Sequence, residues 1–374
     1  MPTADELLSR ETVQDLIACL DRAAPGRPLP ALQAVEPALA DLAFGERVAA
    51  VRDGVLADLP EGYAAFDAIL RAALDDPAFR GWMIWAVADA VALRAVAAWE
   101  GGDDPAFDAG LALLAALTPR HTAEAAIRRF LRADLDRTLA VALTWTADPD
   151  AHVRRFATEG TRPRLPWALR VPALTDRPDA TVPILDALYR DEEEYVRRSV
   201  ANHLNDVSRA RPELAVETAA RWLAAPADTT ARVVRHALRT LIKQGDPGAL
   251  ELLGFGPAAG LVVTGPRLSA GAVRIGETLD FAADVENGGD APVRLAVDYV
   301  VHYQKANGTL APKVFKLTTR TLAPGERLAV GRTHAFRQLT TRRHHPGDHA
   351  LELQVNGVRY GRVAFRVDPE ASAG

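Results

Sequence analysis

The chain has 374 residues, more than a single compact core usually holds, so two domains are expected. Hydrophobic residues make up 48% and charged residues 25%, a globular mixture that excludes a low-complexity or disordered chain. A net charge of −5 does not announce a nucleic-acid binder, yet the charge is uneven. From residue 257 onward 15 Lys and Arg face 11 Asp and Glu, a net of +4, which leaves −9 for the part before it.

Residues 1–255 read as helix after helix, rich in Ala, Leu, Arg and Glu, with apolar residues at i, i+3 and i+4. The start of the chain, with Asp5 and Glu6, lacks the basic opening of a secretion signal. The lone cysteine, Cys19, excludes internal disulfides and fits a reducing cytoplasm. The most apolar stretch, 81–99, carries Asp89 and Arg94, so it reads as a buried helix and not as a membrane span.

Repetition shows in the middle of the chain. Val153-Arg154-Arg155, Val196-Arg197-Arg198 and Val234-Arg235-His236 recur at offsets of 43 and 38 residues. Each follows an acidic or Thr-rich helix start: Asp148-Pro149-Asp150, Asp191-Glu192-Glu193 and Asp228-Thr229-Thr230. Such residues satisfy the free N–H groups of a first turn, and the acids complement the helix dipole. A period near 40 in a helical chain points to HEAT-like repeats stacked into a solenoid.

Glycine and proline then break the helices between Gly254 and Pro266. Short alternating runs follow, such as Leu295–His302, Leu328–Gly331 and Ala350–Val355, separated by Asn307-Gly308, Pro324-Gly325, Pro346-Gly347 and Asn356-Gly357. About seven strands at this spacing predict an all-β immunoglobulin-like sandwich. The expected division is therefore 1–256 helical and 257–374 sandwich.

Four helical segments carry the polar chemistry. In the first, Glu124 stands four residues before Arg128, a spacing that also serves an ordinary surface ion pair. In the second, Arg154–Trp167, Gly160 ends a helix and Pro163 and Pro166 force an extended connection. Glu159 then lies at a helix C-terminus, where the dipole disfavours it, with Arg155, Arg162 and Arg164 at hand as partners. Trp167, on the loop, reads either as a lid over the repeat edge or as a stacking surface. In the third, Arg198, Asn202 and Asp206 share a helix face among core residues. That face is either a polar ladder between repeats or the wall of a wet cleft. His203 reads as a packing or capping residue. In the fourth, Arg235, Arg239 and Lys243 form a basic stripe suited to phosphates or to solvent. No Cys and His set has zinc spacing and no Gly-rich phosphate loop is present, so no metal or cofactor is expected.

Taken together, HTAEAAIR (121–128), HVRRFATEGTRPRLPW (152–167), EYVRRSVANHLNDVSR (194–209) and VRHALRTLIKQGDPGALELLGF (234–255) resemble the AlkC family of HEAT-like-repeat alkylpurine DNA glycosylases, relatives of AlkD. The resemblance is close over the second half of the helical region. The sandwich is similar to the immunoglobulin-like extension of many members. The resemblance implies hydrolysis of the N-glycosidic bond of N3-methyladenine and similar small cationic lesions in sharply bent duplex DNA. It places the catalytic carboxylates on Glu124, Glu159 and Asp206, the lesion-contacting tryptophan on Trp167, and DNA-approaching arginines on Arg155 and Arg162. Arg198, Arg235, Arg239, Lys243, Arg342 and Arg343 complete the expected DNA-binding set. The expected protein is a cytoplasmic monomer whose partner is alkylated double-stranded DNA. The competing readings are a non-enzymatic helical scaffold for DNA or protein and, less favoured by the missing export signal and few aromatic platforms, a carbohydrate enzyme.

Overall fold

The computed structural model describes residues 3–257, 259–338 and 343–370. They form two compact units, divided between Ala237 and Leu238. The first unit is helical. Its principal helices are Arg10–Ala23, Phe44–Asp58, Tyr63–Ala73, Met83–Glu100, Asp104–Leu117, Ile127–Ala133, Ala151–Gly160, Glu194–Val207, Pro212–Ala224 and Thr230–Ala237. The apolar stretch around Asp89 is the helix Met83–Glu100, which buries Met83, Ile84, Ala86–Ala88 and Ala90–Ala92 against its neighbours. Among the described residues no helix is long and apolar enough to cross a membrane.

The recurring triplets have a structural meaning. Arg154 donates to the carbonyls of Asp148 and Pro149, the turn that leads into its own helix. Arg197 does the same with the carbonyls of Asp191 and Glu192. In the first two triplets the middle arginine thus ties its helix to the preceding turn at the same six- and five-residue offsets. Arg154 also grips Asp191, at the start of the next triplet's helix, with two bonds of 2.7 and 3.1 Å, and both side chains are buried. Breaking such a buried pair from one side typically costs about 3–5 kcal/mol, because the other charge is left without a partner. The acidic starts cap as their composition implies: Asp150 accepts from the amide of His152, and Asp191 from that of Glu193.

The second unit begins with two short helices, Arg239–Gln244 and Pro247–Leu252, upstream of the glycine and proline break. They belong with the strands. Gly245, left-handed at φ +81, sits against Gly357 so closely that a Cβ on either would lie within 3 Å of the other's backbone. Nε2 of Gln354 donates to the Lys243 carbonyl, and Arg294 to that of Leu253. Eight strands follow: β1 (Leu261–Leu268), β2 (Ala272–Arg274), β3 (Thr278–Asn287), β4 (Val293–Gln304), β5 (Leu310–Leu322), β6 (Arg327–Ala335), β7 (Gly347–Val355) and β8 (Val358–Asp368). They form a three-stranded sheet in the order β1-β3-β6 and a five-stranded sheet in the order β2-β8-β7-β4-β5. Pairing is antiparallel except between β2 and β8. The two sheets enclose Leu279, Phe281, Tyr299, Val301, Phe336, Leu351 and Phe365, the inward halves of alternating strands. The Asn356-Gly357 turn joins β7 to β8 with both residues at positive φ, as a tight hairpin requires.

One expectation fails at the join. The basic stripe Arg235, Arg239, Lys243 requires a single helix, but Leu238 leaves helical geometry at φ −88° and ψ 6°. Arg235 closes the helix of the first unit, while Arg239 and Lys243 lie on the first helix of the second. The three residues are thus divided between two helices.

Candidate active site

The helix Ala151–Gly160 begins at the Asp150 cap and stops at Gly160. A Cβ on Gly160 would lie 2.8 Å from Ile127, so this glycine lets the helix end press onto the helix Ile127–Ala133. Glu159 thus stands in the last turn, buried, at the end of the helix least hospitable to an acid. Asp206 occupies the same position in the helix Glu194–Val207, also buried. Arg162, just beyond Gly160, resolves both conflicts: its guanidinium reaches Glu159 Oε1 at 2.5 Å and Asp206 Oδ2 at 2.9 Å.

A second arginine extends the cluster. Arg155 pairs with Glu124 at 2.6 Å and approaches Glu159 at 3.7 Å, and its guanidinium lies 5.0 Å from the centre of the Tyr195 ring. The order in space is Glu124, Arg155, Glu159, Arg162, Asp206. Three acids meet two bases, so the formal charge is −1. Ser199 donates to Glu159 Oε2 at 2.6 Å, and Thr158 in turn donates to Ser199 at 2.5 Å. Burial pushes the Glu159 pKa up, but Arg162, Arg155 and Ser199 together outweigh it and hold the carboxyl below its ordinary range. Burial also acts on Asp206, and there it wins over Arg162: the pKa is raised. Two carboxylates on one arginine are therefore pushed in opposite directions.

Glu124, Arg155, Glu159 and Arg162 line a cavity of ≈ 430 Å³ together with Trp82, Trp85, His121, Trp167 and Tyr195, while Asp206 is off the lining and joins these groups through Arg162. Its walls are aromatic. Trp82 and Trp85 stack at 5.7 Å between centroids, His121 lies 4.5 Å from Trp82, and Phe44 stands edge-on to both tryptophans. Trp167 is 68% exposed and holds the left-handed conformation, φ +60.

The structure brings Glu124, Glu159, Asp206, Arg155, Arg162 and Trp167 together. Other candidates lie elsewhere. Glu124 does not pair with Arg128: it precedes the helix that begins at Ile127, and Arg128 is wholly buried on backbone carbonyls instead. Along the shared face of Arg198, Asn202 and Asp206, exposure falls from the first to the last. Arg198 stays at the solvent end, paired with Glu194 at 3.4 Å. Arg164 is exposed, and its backbone amide, not its guanidinium, is what meets Asp206. Arg343 is exposed between β6 and β7, while Arg342 lies outside the described residues. His203 is wholly buried between the Thr158 carbonyl and the Thr181 hydroxyl, and burial lowers its pKa to about 4, which agrees with a packing role.

Sequence reasoning missed the aromatic wall. Trp82 and Trp85 open a stretch whose apolarity masked them, although two tryptophans three apart at a helix start were a visible signal. Tyr195 sits inside a recognised motif without having been singled out. Among the described residues no group of three His, Cys, Asp or Glu side chains is placed to hold a metal ion.

Known proteins resemble this chain over both of its parts. Residues 120–241 fit the model of the DNA alkylation repair enzyme family, and residues 262–369 that of the C-terminal Ig-like domain of YhaZ, described as uncharacterised. The protein YhaZ of Bacillus subtilis (strain 168) is 35% identical over 327 residues, 87% of this chain and 88% of its own. The solved Pseudomonas fluorescens alkylpurine DNA glycosylase AlkC, bound to DNA containing an abasic site analogue, is 36% identical and superposes with a TM-score of 0.84 over 98% of this chain and 99% of that one. This chain belongs to the AlkC family. The AlkC-like likeness spans the helical and the all-β parts alike, so the recognition drawn from four motifs extends to nearly the whole chain.

Proposed function

We propose that this AlkC-family chain is a monofunctional DNA glycosylase that hydrolyses the N-glycosidic bond of small cationic alkylated bases, chiefly N3-methyladenine, in bent duplex DNA. The observation that carries the reading is the cluster of three acids and two arginines on an aromatic cavity. Helical residues 1–256, as HEAT-like repeats, would supply the chemistry, and the sandwich 257–374 would clamp phosphate through Arg342 and Arg343. The protein would act as a cytoplasmic monomer.

An alkylated base that already carries positive charge leaves readily, so neither a strong general acid nor a metal is required. As the C1′–N bond breaks, its electron pair returns to the base, which departs neutral. Positive charge builds on the sugar. Glu159 and Asp206 stabilise that charge, and a water attacks C1′, losing its proton to a carboxylate. Asp206, with its raised pKa, is the better proton acceptor of the two. Arg155 and Arg162 have a second attraction available in DNA phosphates. An arginine that turns to a phosphate leaves its acid free to face the cation. Trp167, Trp82 and Trp85 offer faces for stacking and for cation–π contact with the lesion.

The test is release of N3-methyladenine from methylated duplex by wild type and by Glu159→Gln, both shown to be folded. Release by the wild type alone supports the reading. Absence of release by folded wild type that still binds DNA would turn it to the scaffold alternative.

A further inference from the structure

Arg128 has no part in the acid cluster, yet among the described residues it is the most deeply buried arginine of the helical unit: its side chain is wholly buried. Its Nε donates to the Leu169 carbonyl at 2.6 Å, and one terminal nitrogen donates to the carbonyls of Arg162 at 2.6 Å and Gly160 at 3.3 Å. The other terminal nitrogen is buried with no partner. Burial, followed by the repulsion of Arg170 and Arg162, lowers its pKa to about 10, still cationic at neutral pH. A buried charge of this kind is costly unless its bonds are needed. All three acceptors belong to one segment, 160–169, which leaves the helix Ala151–Gly160 and carries both Arg162 and Trp167.

We propose that Arg128 is the positioning residue of the active-site segment, holding its two ends so that Arg162 lies between Glu159 and Asp206 and Trp167 faces the cavity. The segment lacks helix or strand bonds between Arg162 and Val171, so its shape needs an outside template. A planar guanidinium bonds the Leu169 and Arg162 carbonyls from two different nitrogens at once, whereas a lysine ammonium is a single point with no fixed fork. The proposal rests on the glycosylase reading for its kinetic consequence but not for its structural one.

The experiment uses the full chain with Arg128→Lys, and with Pro166→Gly as a variant that loosens the same segment without touching Arg128. Two readouts are taken on protein shown to be folded. One is native-state trypsin cleavage after Arg164 and Arg170, which requires no activity. The other is the pH profile of single-turnover release of N3-methyladenine. Cleavage is expected to rise about tenfold in Arg128→Lys, with unfolding of the rest unchanged. Release at saturating enzyme is expected to fall about 30-fold, with its acid limb shifted because Arg162 no longer holds Asp206. Pro166→Gly is expected to reproduce both effects in weaker form. Wild-type cleavage and a wild-type pH profile in folded Arg128→Lys would overturn the proposal, and so would a wild-type profile in Pro166→Gly if Arg128→Lys does not fold. If wild type releases no base, the glycosylase reading fails, and the trypsin readout alone decides the role of Arg128.

Discussion

Two cavities lie side by side in the helical unit and share Trp85 and Trp167 as lining residues. The smaller is lined by Glu124, Arg155, Glu159 and Arg162, with Asp206 joined to them through Arg162. The larger, of ≈ 690 Å³, holds a single acid, Asp89, bound by Arg129 at 2.6 and 3.0 Å and by Arg52 at 3.1 Å. Both use short carboxylate–guanidinium bonds, but the remainder differs. Three acids on two arginines leave −1, whereas Asp89, with Asp53 at 2.8 Å from Arg52, balances Arg129 and Arg52. Beside a polyanion, the second arrangement is the ordinary one, whereas the first repels phosphate and is useful where a cation must be held. Ion pairing alone therefore does not mark an active site, whereas an excess of buried acid does.

The comparison breaks or sharpens with substitutions on each side. The largest effect is expected at Glu159→Gln, about a 10³-fold loss of base release in single-turnover assays, because the central acid faces both arginines and cannot be replaced by a neighbour. Asp206→Asn should lose about 10²-fold, and its pH profile separates the two acids. The Asp206 carboxyl is raised above its ordinary 3.8, so in wild type release falls as the pH drops through that raised value, while Glu159, held below its ordinary 4.5, is still charged. In Asp206→Asn this upper acid limb should vanish. Stability follows the opposite signs. The contribution of Glu159 is present above its ordinary pKa and is lost as pH falls through the lowered folded value. That of Asp206 is present below its ordinary pKa and is lost as pH rises through the raised one. Denaturant melts of Glu159→Gln across pH 3 to 7 should therefore fall about 1–3 kcal/mol below wild type at the neutral end and converge on it toward the acid end.

Trp167→Ala should weaken lesion processing about tenfold, the worth of one stacking or cation–π contact, and leave stability nearly unchanged because the ring is exposed. The smallest kinetic effect is expected at Asp89→Asn. It should cost about 1–3 kcal/mol in urea unfolding and less than a factor of about three in release. Equal losses of release at Asp89 and Glu159 would erase the distinction between the cavities and favour the scaffold alternative.

Much of this arrangement was legible before any coordinates, and for definable reasons. Glu159 stood out because Gly160 and Pro163 made its helix end, and an acid there needs a partner. Asp206 stood out because a polar residue at a core position must be satisfied. Both signals are local. What was not legible depends on distance in space. Glu124 has Arg128 at a helical spacing, and only the late start of the helix at Ile127 hands it to Arg155, 31 residues away. The stripe from Arg235 to Lys243 obeyed its spacing rule, but one residue, Leu238, interrupts the helix that would have carried it. Trp82 and Trp85 were hidden by belonging to a stretch apolar enough to be all core. The strands of the second unit followed their alternation, and the extra one, β2, is three residues long, too short to show a period.

The left-handed backbone at Trp167 has one more consequence. A bulky side chain at positive φ has few rotamers open to it and pays about 1–2 kcal/mol for being there. That cost is met once, on folding. If Trp167 stacks on a base as proposed, a backbone already committed to this conformation has less entropy to surrender than a flexible loop would. At this position the fold gives up some of its own stability to fix where the ring is carried.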